Sequence, residues 1–180
     1  MKQKNISTYD LCIMAVFTAI IAVMAQIVIP MPYGVPMTLQ TMVIMLTGVL
    51  LGAKKAVIVT VVYVLTGAIG APVFQSLTGG LGTVFGPTGG FIMSFPLLAL
   101  GAGIGAEKDS KAWLWSGLIT GVIINYLCGA IYFSVITSNT LETALKACIL
   151  PFIPTDIIKI ATVGLLGIKV RRILLKRVTS

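Results

Sequence analysis

The chain has 180 residues, of which 57% are hydrophobic and only 10% are charged. A soluble domain is normally about one quarter charged, so this composition excludes an ordinary soluble globular protein. The net charge of +8 would suit a nucleic-acid-binding protein, but the basic residues cluster just outside the apolar runs. No aromatic residues alternate with them as a base-stacking surface requires. We therefore expect an integral membrane protein that binds no nucleic acid.

The apolar runs predict a bundle of helices. Several of them approach or exceed the ~20 residues that cross a bilayer as a helix. The first run continues to Ile29, so we expect it to remain as a span and not to be cleaved as a signal peptide. Division at Pro/Gly clusters and charge pairs predicts an all-α, single-domain fold over residues 1–180. Its six transmembrane helices are predicted at 9–29, 38–53, 55–71, 88–106, 112–136 and 152–175.

The connections between the predicted helices alternate in character. Those at Lys54-Lys55 and 107–111 are short and charged. All of the 13 basic residues except Lys146 and Lys159 lie on the side of these short connections and the termini. Because positive residues accumulate on the cytoplasmic side of a membrane, both termini are predicted to be cytoplasmic. The longer connections are then predicted to face outward, at 30–37, 72–87 and 137–151.

Cysteine and histidine give no sign of metal or redox chemistry. Cys12, Cys128 and Cys148 show no CxxC spacing, and the chain contains no histidine. The usual metal ligand and the usual general base at neutral pH are therefore missing. We expect no metal, no cofactor and no catalytic residue.

Two opposite charges lie within the last predicted span. Asp156 and Lys159 fall about 6 Å and about 10 Å below its start, and their i,i+3 spacing puts them on one helix face. The pair is consistent with an internal salt bridge that locks this helix against its neighbours. Yet charges at bilayer depth are costly and tend to mark solute pathways. The pattern favours a ligand-binding role, with an acceptor and a donor at the floor of a cavity that opens outward.

The outer loop at 70–91 is rich in glycine and contains two prolines. Its backbone is suited to tight turns and close approaches. Residues 86–90, Gly-Pro-Thr-Gly-Gly, then open the fourth span, where a helix N-terminus favours anionic groups. An ordinary outer loop with a tight turn is an equally good interpretation. The GxxxxGK[ST] phosphate-loop pattern is not satisfied.

Polar and aromatic residues near the outer side supply further candidates. Asn125 is deep in the fifth span, where an amide needs partners from neighbouring helices or from a ligand. Tyr126 follows it and is either an interfacial aromatic, a core residue or a ligand contact. Gln40 and Gln75 are candidate ligand contacts near the outer side, although Gln40 would also fit simple exposure to solvent.

A stripe of small residues lies on the first span. Ala15, Ala19 and Ala22 recur at helical spacing, and small residues let helices approach closely in lipid. This stripe fits either a partner interface or packing within the chain.

Four segments resemble one known family. These are VPMTLQT at 35–41, LTGAIGAPVF at 65–74, GGLGTVFGPTGGF at 79–91 and PTDIIKI at 154–160. Together they resemble BioY, the biotin-specific substrate-binding (S) component of energy-coupling factor (ECF) transporters. The resemblance runs through almost the whole chain in the expected order. The family often has tyrosine after the GPTGG element, where this chain has Phe91.

The resemblance implies a function and partners. It implies a six-helix protein with a biotin site near the extracellular face, in which Asp156 accepts from a ureido N–H and Lys159 donates to a ligand oxygen. Asn125 and Gln75 would complete the polar contacts, and Phe74 and Phe91 would cover the apolar ring. The remaining predicted contacts are Gly89, Gly90, Tyr126 and Gln40.

The family also works with other subunits. The resemblance implies that Ala15 and Ala19 contact the transmembrane coupling (T) subunit, and that two ATPase (A) subunits use the ATP. The expected location is the plasma membrane of a prokaryote, as a multi-pass protein in the lipid bilayer.

Three other functions remain as alternatives. The chain could serve another small vitamin within the same transporter class, or act as a self-sufficient secondary carrier. A membrane enzyme that uses Asp156 as an acid or base would need further catalytic groups, and the other acidic residues lie at span ends or in loops. They are Asp10, Glu107, Asp109 and Glu142.

Overall fold

The structure is a computed structural model that describes residues 7–31, 35–108 and 110–178, with side chains described up to residue 171. Over these ranges the chain forms a helical bundle with one short hairpin, whose two strands have two residues each. Its helices are α1 Thr8–Met24, α2 Gln40–Leu51, α3 Ala53–Ala68, α4 Leu81–Val84, α5 Gly89–Glu107, α6 Lys111–Thr137, α7 Leu141–Cys148 and α8 Ile153–Val178. The strands are β1 Val28–Ile29 and β2 Met37–Thr38.

Helix α5 is the centre of the bundle, where it packs against α2, α3 and α6. Small residues allow this close approach. A Cβ atom at Gly48 of α2 would lie 2.6 Å from the backbone oxygen of Ala99 on α5. Because apolar lipid gives helices no hydrophobic reason to associate, such close packing holds membrane helices together.

By length and composition, α5 and α6 are the helices of the described part that can each cross a membrane alone. Helices α7 and α8 also qualify if they form one span, with a bend of 53° between them. Helices α1 and α2 are apolar but shorter. The six longer helices follow the order of the six predicted spans, although their ends differ.

The first helix ends at Met24 and not at residue 29 as predicted. Residues 28–29 instead pair with 37–38 in an antiparallel hairpin. Pro30 disfavours a helical conformation at the residue before it, so the apolar run continues as a strand. Apolar composition alone cannot distinguish the two conformations.

The second and third helices meet at Gly52, whereas the sequence predicted a break at Lys54-Lys55. Gly52 has a φ of +80°, a conformation that is costly for other residues. The Ala53 N–H, at the start of α3, donates to Oε1 of Glu107 at 2.8 Å. This carboxylate lies at the positive end of the α3 dipole and stabilises a helix start that carries two lysines.

The outer connection predicted at 137–151 contains the short helix α7. The Thr140 side chain accepts from the Thr143 N–H at its start, and Lys146 pairs with Glu142 at 2.6 Å. Its buried face joins a second apolar cluster with Val35, Met37 and Phe152. The loop at 72–87 likewise contains α4 and a 3₁₀ turn at Gln75–Leu77.

The prediction of orientation depends in part on Lys2, Lys4, Arg172, Lys176 and Arg177. These side chains lie outside the part that the structure describes.

Candidate functional site

A cavity opens at the end of the bundle that carries the longer connections. The space between its atoms is about 520 Å³, including open solvent at the mouth, and about 60 Å³ of it admits the centre of a water molecule. It is lined by residues 35–38, Gln40, Thr41, Gln75, Thr88, Phe91, Ile92, Phe95, Asn125, Tyr126, Phe152, Asp156 and Lys159.

The two charges of the last helix form an ion pair at this cavity. Lys159 Nζ lies 2.6 Å from Asp156 Oδ1, and the two side chains are only 7% and 6% exposed. Asp156 is in the first turn of α8, where the helix dipole favours a negative charge. The predicted i,i+3 geometry is therefore present, and the pair lines a cavity.

Two neighbouring helices hold the pair in place. Tyr126 Oη on α6 donates to Asp156 Oδ2 at 2.5 Å. Lys159 Nζ on α8 donates to Thr41 Oγ1 on α2 at 3.1 Å. A buried charge is tolerated when such hydrogen bonds accompany the opposite charge. The pair and its partners thus connect three helices at the cavity wall.

Asp156 Oδ1 has spare acceptor capacity. It is fully buried beside Lys159 Nζ at 2.6 Å and accepts no other hydrogen bond from the residues that the structure describes. Because a carboxylate oxygen has room for more than one donor, a ligand N–H group can bind it once the lining side chains move apart.

Asn125 offers a second acceptor at the cavity. Its Nδ2 donates to the Phe91 carbonyl oxygen at 3.1 Å and to Ser94 Oγ at 2.8 Å. Both amide hydrogens are thereby used within the protein. The carbonyl oxygen of this amide is left for another donor.

The two glutamines have hydrogen-bond partners within the protein. Gln40 is 2% exposed, and its Nε2 donates to Tyr63 Oη at 2.5 Å. Gln75 Nε2 donates to Thr88 Oγ1 at 3.3 Å. The solvent-exposed alternative for Gln40 is thus wrong, because the hairpin and α3 cover it.

Three predicted contacts lie away from the cavity lining. Phe74 is 0% exposed and packs edge-to-face on Tyr63, with ring centroids 5.5 Å apart. A Cβ at Gly89 would collide with the Val84 carbonyl oxygen on α4, and a Cβ at Gly90 would lie 2.5 Å from the Cys128 carbonyl oxygen on α6. Their place in the fold is explained by core packing, because the loop turns its aromatic ring inward and α5 approaches α6 closely.

Several lining residues were missed from the sequence. The largest are the aromatic residues Phe95 and Phe152, and the polar ones are Thr38, Thr41 and Thr88. Thr41 was within reach, since it ends the VPMTLQT segment and is one residue from Gln40. Phe95 could not be identified from the sequence. Its helix is apolar on every face, so the hydrophobic pattern does not show which face lines a cavity.

A metal site is not formed by the described residues: no three His, Cys, Asp or Glu side chains lie close enough together.

Comparison with known proteins supplies the family. The sequence profile of the BioY family matches residues 1–176. The chain is 34% identical over 163 residues to the biotin transporter BioY of Thermotoga maritima, covering 90% of this chain and 95% of the relative. It is 36% identical over 162 residues to the probable biotin transporter BioY of Pyrococcus horikoshii, covering 90% and 93%.

The chain belongs to the BioY family. The family resemblance seen in the four motifs is thus confirmed. A crystal structure of the S-component for biotin from an ECF-type ABC transporter matches this BioY family member with a TM-score of 0.85 and 29% identity. The match covers 96% of this chain and 95% of the other. The predicted all-α S-component fold is confirmed, and this BioY family member is a multi-pass membrane protein.

The alanine stripe of this BioY family member divides between two surroundings. Ala15 and Ala19 are exposed on α1. Ala22 is partly buried and packs against the main core. The surface around Ala15 and Ala19 is apolar, with Leu11 and Val16 each 55% exposed. It is free to contact lipid or another membrane helix.

Proposed function

We propose that this chain is the biotin-binding S component of an ECF-type ABC importer. The observation that carries the proposal is the buried Asp156–Lys159 pair at the wall of a cavity, with Asp156 Oδ1 contacted by Lys159 and accepting no other hydrogen bond from the described residues. Opposite charges at the wall of a cavity within an apolar helix are typical of a solute pathway.

The cavity chemistry matches the parts of biotin. The ureido group has two N–H donors, which suit Asp156 Oδ1 and the Asn125 carbonyl oxygen. Its carbonyl oxygen is an acceptor that suits the ammonium group of Lys159. Charge-assisted hydrogen bonds of this kind are the strong ones in a dry site.

The apolar ring of biotin needs an apolar surface. Phe91, Ile92, Phe95 and Phe152 line the same cavity and provide it. Small-molecule sites usually have a volume of 300–1,000 Å³, whereas only about 60 Å³ here admits water centres. We therefore expect the lining side chains to move apart when the ligand enters.

In this proposal the chain is a transporter component and not an enzyme. It would capture biotin at the outer face of the prokaryotic plasma membrane and release it inward with one T subunit and two ATPase subunits. ATP would be used by those partners alone. The exposed surface around Ala15 and Ala19 is the proposed contact with the T subunit.

The test is calorimetry of the detergent-purified chain with biotin and a panel of other vitamins. We expect biotin to bind and the others to bind far more weakly. Asp156→Asn should weaken biotin binding roughly 10- to 100-fold, since a hydrogen bond to a charged group contributes about 1.5–3 kcal/mol. Glu142→Gln makes the same chemical change in an exposed pair and should leave binding unchanged. Tighter binding of another vitamin would contradict the choice of biotin.

The secondary-carrier alternative is tested in liposomes. The isolated chain is expected to bind biotin without accumulating it inside the vesicles. Accumulation without the T and ATPase subunits would contradict an ECF mechanism and support a self-sufficient carrier.

A further inference from the structure

Ser94 lies in α5 and is 3% exposed, although α5 is apolar enough to cross a membrane. Its hydroxyl faces two backbone acceptors in the preceding turn, the carbonyl oxygens of Gly90 at 2.8 Å and Phe91 at 3.1 Å. A serine has one hydroxyl hydrogen and two lone pairs. Since the hydrogen is used on the helix backbone, Oγ can only accept from any further partner.

That further partner is Asn125. Its Nδ2 lies 2.8 Å from Ser94 Oγ and 3.1 Å from the Phe91 carbonyl oxygen. A backbone carbonyl can only accept, and the Ser94 oxygen has no hydrogen left to give. Both neighbours therefore require the NH₂ end of the amide, and a flipped amide would place its oxygen against two acceptors.

The orientation of the amide decides what Asn125 presents to the cavity. Nothing in the described part of the chain donates to its Oδ1. Because Asn125 lines the cavity, its oxygen is the end of the amide that remains for a ligand donor.

We infer that Ser94 is a positioning residue that fixes the Asn125 amide with its oxygen toward the ligand. The Asn125 oxygen and Asp156 Oδ1 then form a pair of acceptors, which selects ligands with two N–H donors on one polar group. A cyclic urea has this arrangement. The inference rests on the proposed function, because it assigns the polar group that the same cavity recognises.

Without the Ser94 hydroxyl, the amide loses one of two contacts that define its orientation. Ser94→Ala should raise the biotin Kd about 3- to 10-fold, which corresponds to the loss of one hydrogen bond. The loss should act through Asn125. Ser94→Ala should then change the Kd less than about twofold when Asn125 is already alanine, since coupled residues are non-additive.

The experiment is calorimetry on four purified chains: wild type, Ser94→Ala, Asn125→Ala and the double variant. Each is titrated with biotin and with its two forms methylated at one ureido nitrogen or the other. Wild type should bind both methylated forms weakly. In Ser94→Ala, the loss of affinity that methylation causes should become smaller for one of the two forms. The reason is that the acceptor of the blocked N–H, the Asn125 oxygen, is no longer held in place.

A matched control separates positioning from general stability. The Thr60 hydroxyl is also buried and also donates to its own helix, to the Ala56 oxygen at 2.9 Å, but Thr60 is not among the residues that line the cavity. Thr60→Ala should affect thermal unfolding and leave the biotin Kd and the preference over methylated forms unchanged. If Ser94→Ala does not fold, Ser94→Cys keeps a weak acceptor of similar size and should give a smaller shift in the same direction.

The outcomes separate the two proposals. Failure of wild type to bind biotin overturns the proposed function, and this inference with it. The role of Ser94 alone is overturned if wild type binds biotin but Ser94→Ala raises the biotin Kd equally in the wild-type and the Asn125→Ala backgrounds. The preference for biotin over its methylated forms would then also be unchanged.

Discussion

Tyr126 Oη on α6 donates to Asp156 Oδ2 on α8 at 2.5 Å, while Asp156 Oδ1 lies 2.6 Å from Lys159 Nζ. The phenol thus occupies one carboxylate oxygen and leaves the other to the ammonium group. This relationship connects two helices and orients the carboxylate at the cavity wall.

Tyr126→Phe removes the hydrogen bond and keeps the ring. We expect the biotin Kd to rise about 10-fold, since the carboxylate loses the donor that orients it and a hydrogen bond to a charged group contributes about 1.5–3 kcal/mol. Calorimetry measures the change. Tyr132→Phe is the matched control, because the Tyr132 hydroxyl donates to the Phe85 oxygen at 3.2 Å on an exposed surface and to no other described residue. Equal effects of the two variants would argue against the orienting role.

Lys159→Met leaves Asp156 buried without its opposite charge. Breaking a buried pair in this way usually costs about 3–5 kcal/mol of stability, so thermal unfolding in detergent should occur at a clearly lower temperature. Asp156→Asn combined with Lys159→Met removes both charges and should recover most of that stability while biotin binding stays lost. Wild-type binding by the double variant would show that the pair only holds the helices together.

Gln26 connects the end of α1 to the outer loop. Its side chain donates to the Phe74 oxygen at 3.0 Å and accepts from the Leu77 N–H at 2.8 Å. Gln26→Ala should speed hydrogen exchange across residues 74–78, since loops with few contacts open most easily. Asn139→Ala changes an exposed amide in another loop and should leave that exchange unaltered. Unchanged exchange in Gln26→Ala would mean that the loop is held by its other contacts.

Gly90→Ala tests whether this glycine serves packing. The added methyl group would lie 2.5 Å from the Cys128 oxygen, and overpacking typically costs about 1–3 kcal/mol. Thermal unfolding should therefore occur at a lower temperature. Gly82→Ala is the control, because nothing lies within 4 Å of its added methyl group. A stable Gly90→Ala variant with weakened biotin binding would instead support the ligand contact predicted from the sequence.

Ala19→Trp tests the proposed contact with the T subunit. The side chain is exposed on α1, so biotin binding by the isolated chain should be unchanged. Co-purification with the T subunit should fall strongly, because a large ring prevents close helix approach. Ile123→Trp, on the exposed side of α6 where Ile123 is 50% exposed, is the control. Normal assembly of Ala19→Trp would place the contact elsewhere.

Much of the fold follows from local properties of the chain. Apolar runs of helical length and their Pro/Gly boundaries predicted the order of the six longer helices. The errors occurred where composition permits two conformations. At 28–29 an apolar run forms a strand instead of a helix. At Gly52 a positive φ ends the helix, two residues before the predicted boundary at Lys54-Lys55. Helix α7 was missed because eight residues with charges on one face resemble a loop.

The site was only partly predictable. Asp156 and Lys159 were identified as candidates because charges in an apolar span are costly and therefore informative. Asn125 was identified because an amide in such a span needs hydrogen-bond partners. Phe74 and Gly90 were assigned to the ligand through the family resemblance, and the structure places both in packing contacts. A glycine-rich loop can turn its residues either way, so the sequence could not decide between the two positions. Thr41 and Ser94 carry small hydroxyl groups. Within a helix such a hydroxyl can hydrogen-bond to the backbone of its own helix, so the sequence gave no sign that either residue has a partner on another helix.

The sequence alone thus determined that the chain enters a membrane, the order of its longer helices and the presence of a charged pair on one helix face. These properties depend on hydropathy and on helical periodicity, which are read over short distances along the chain. Only the tertiary structure decided that Tyr126, Thr41 and Ser94 direct the polar atoms of that pair and of Asn125. Hydrogen bonds between helices depend on ångström-scale distances between residues that are 30 to 118 positions apart.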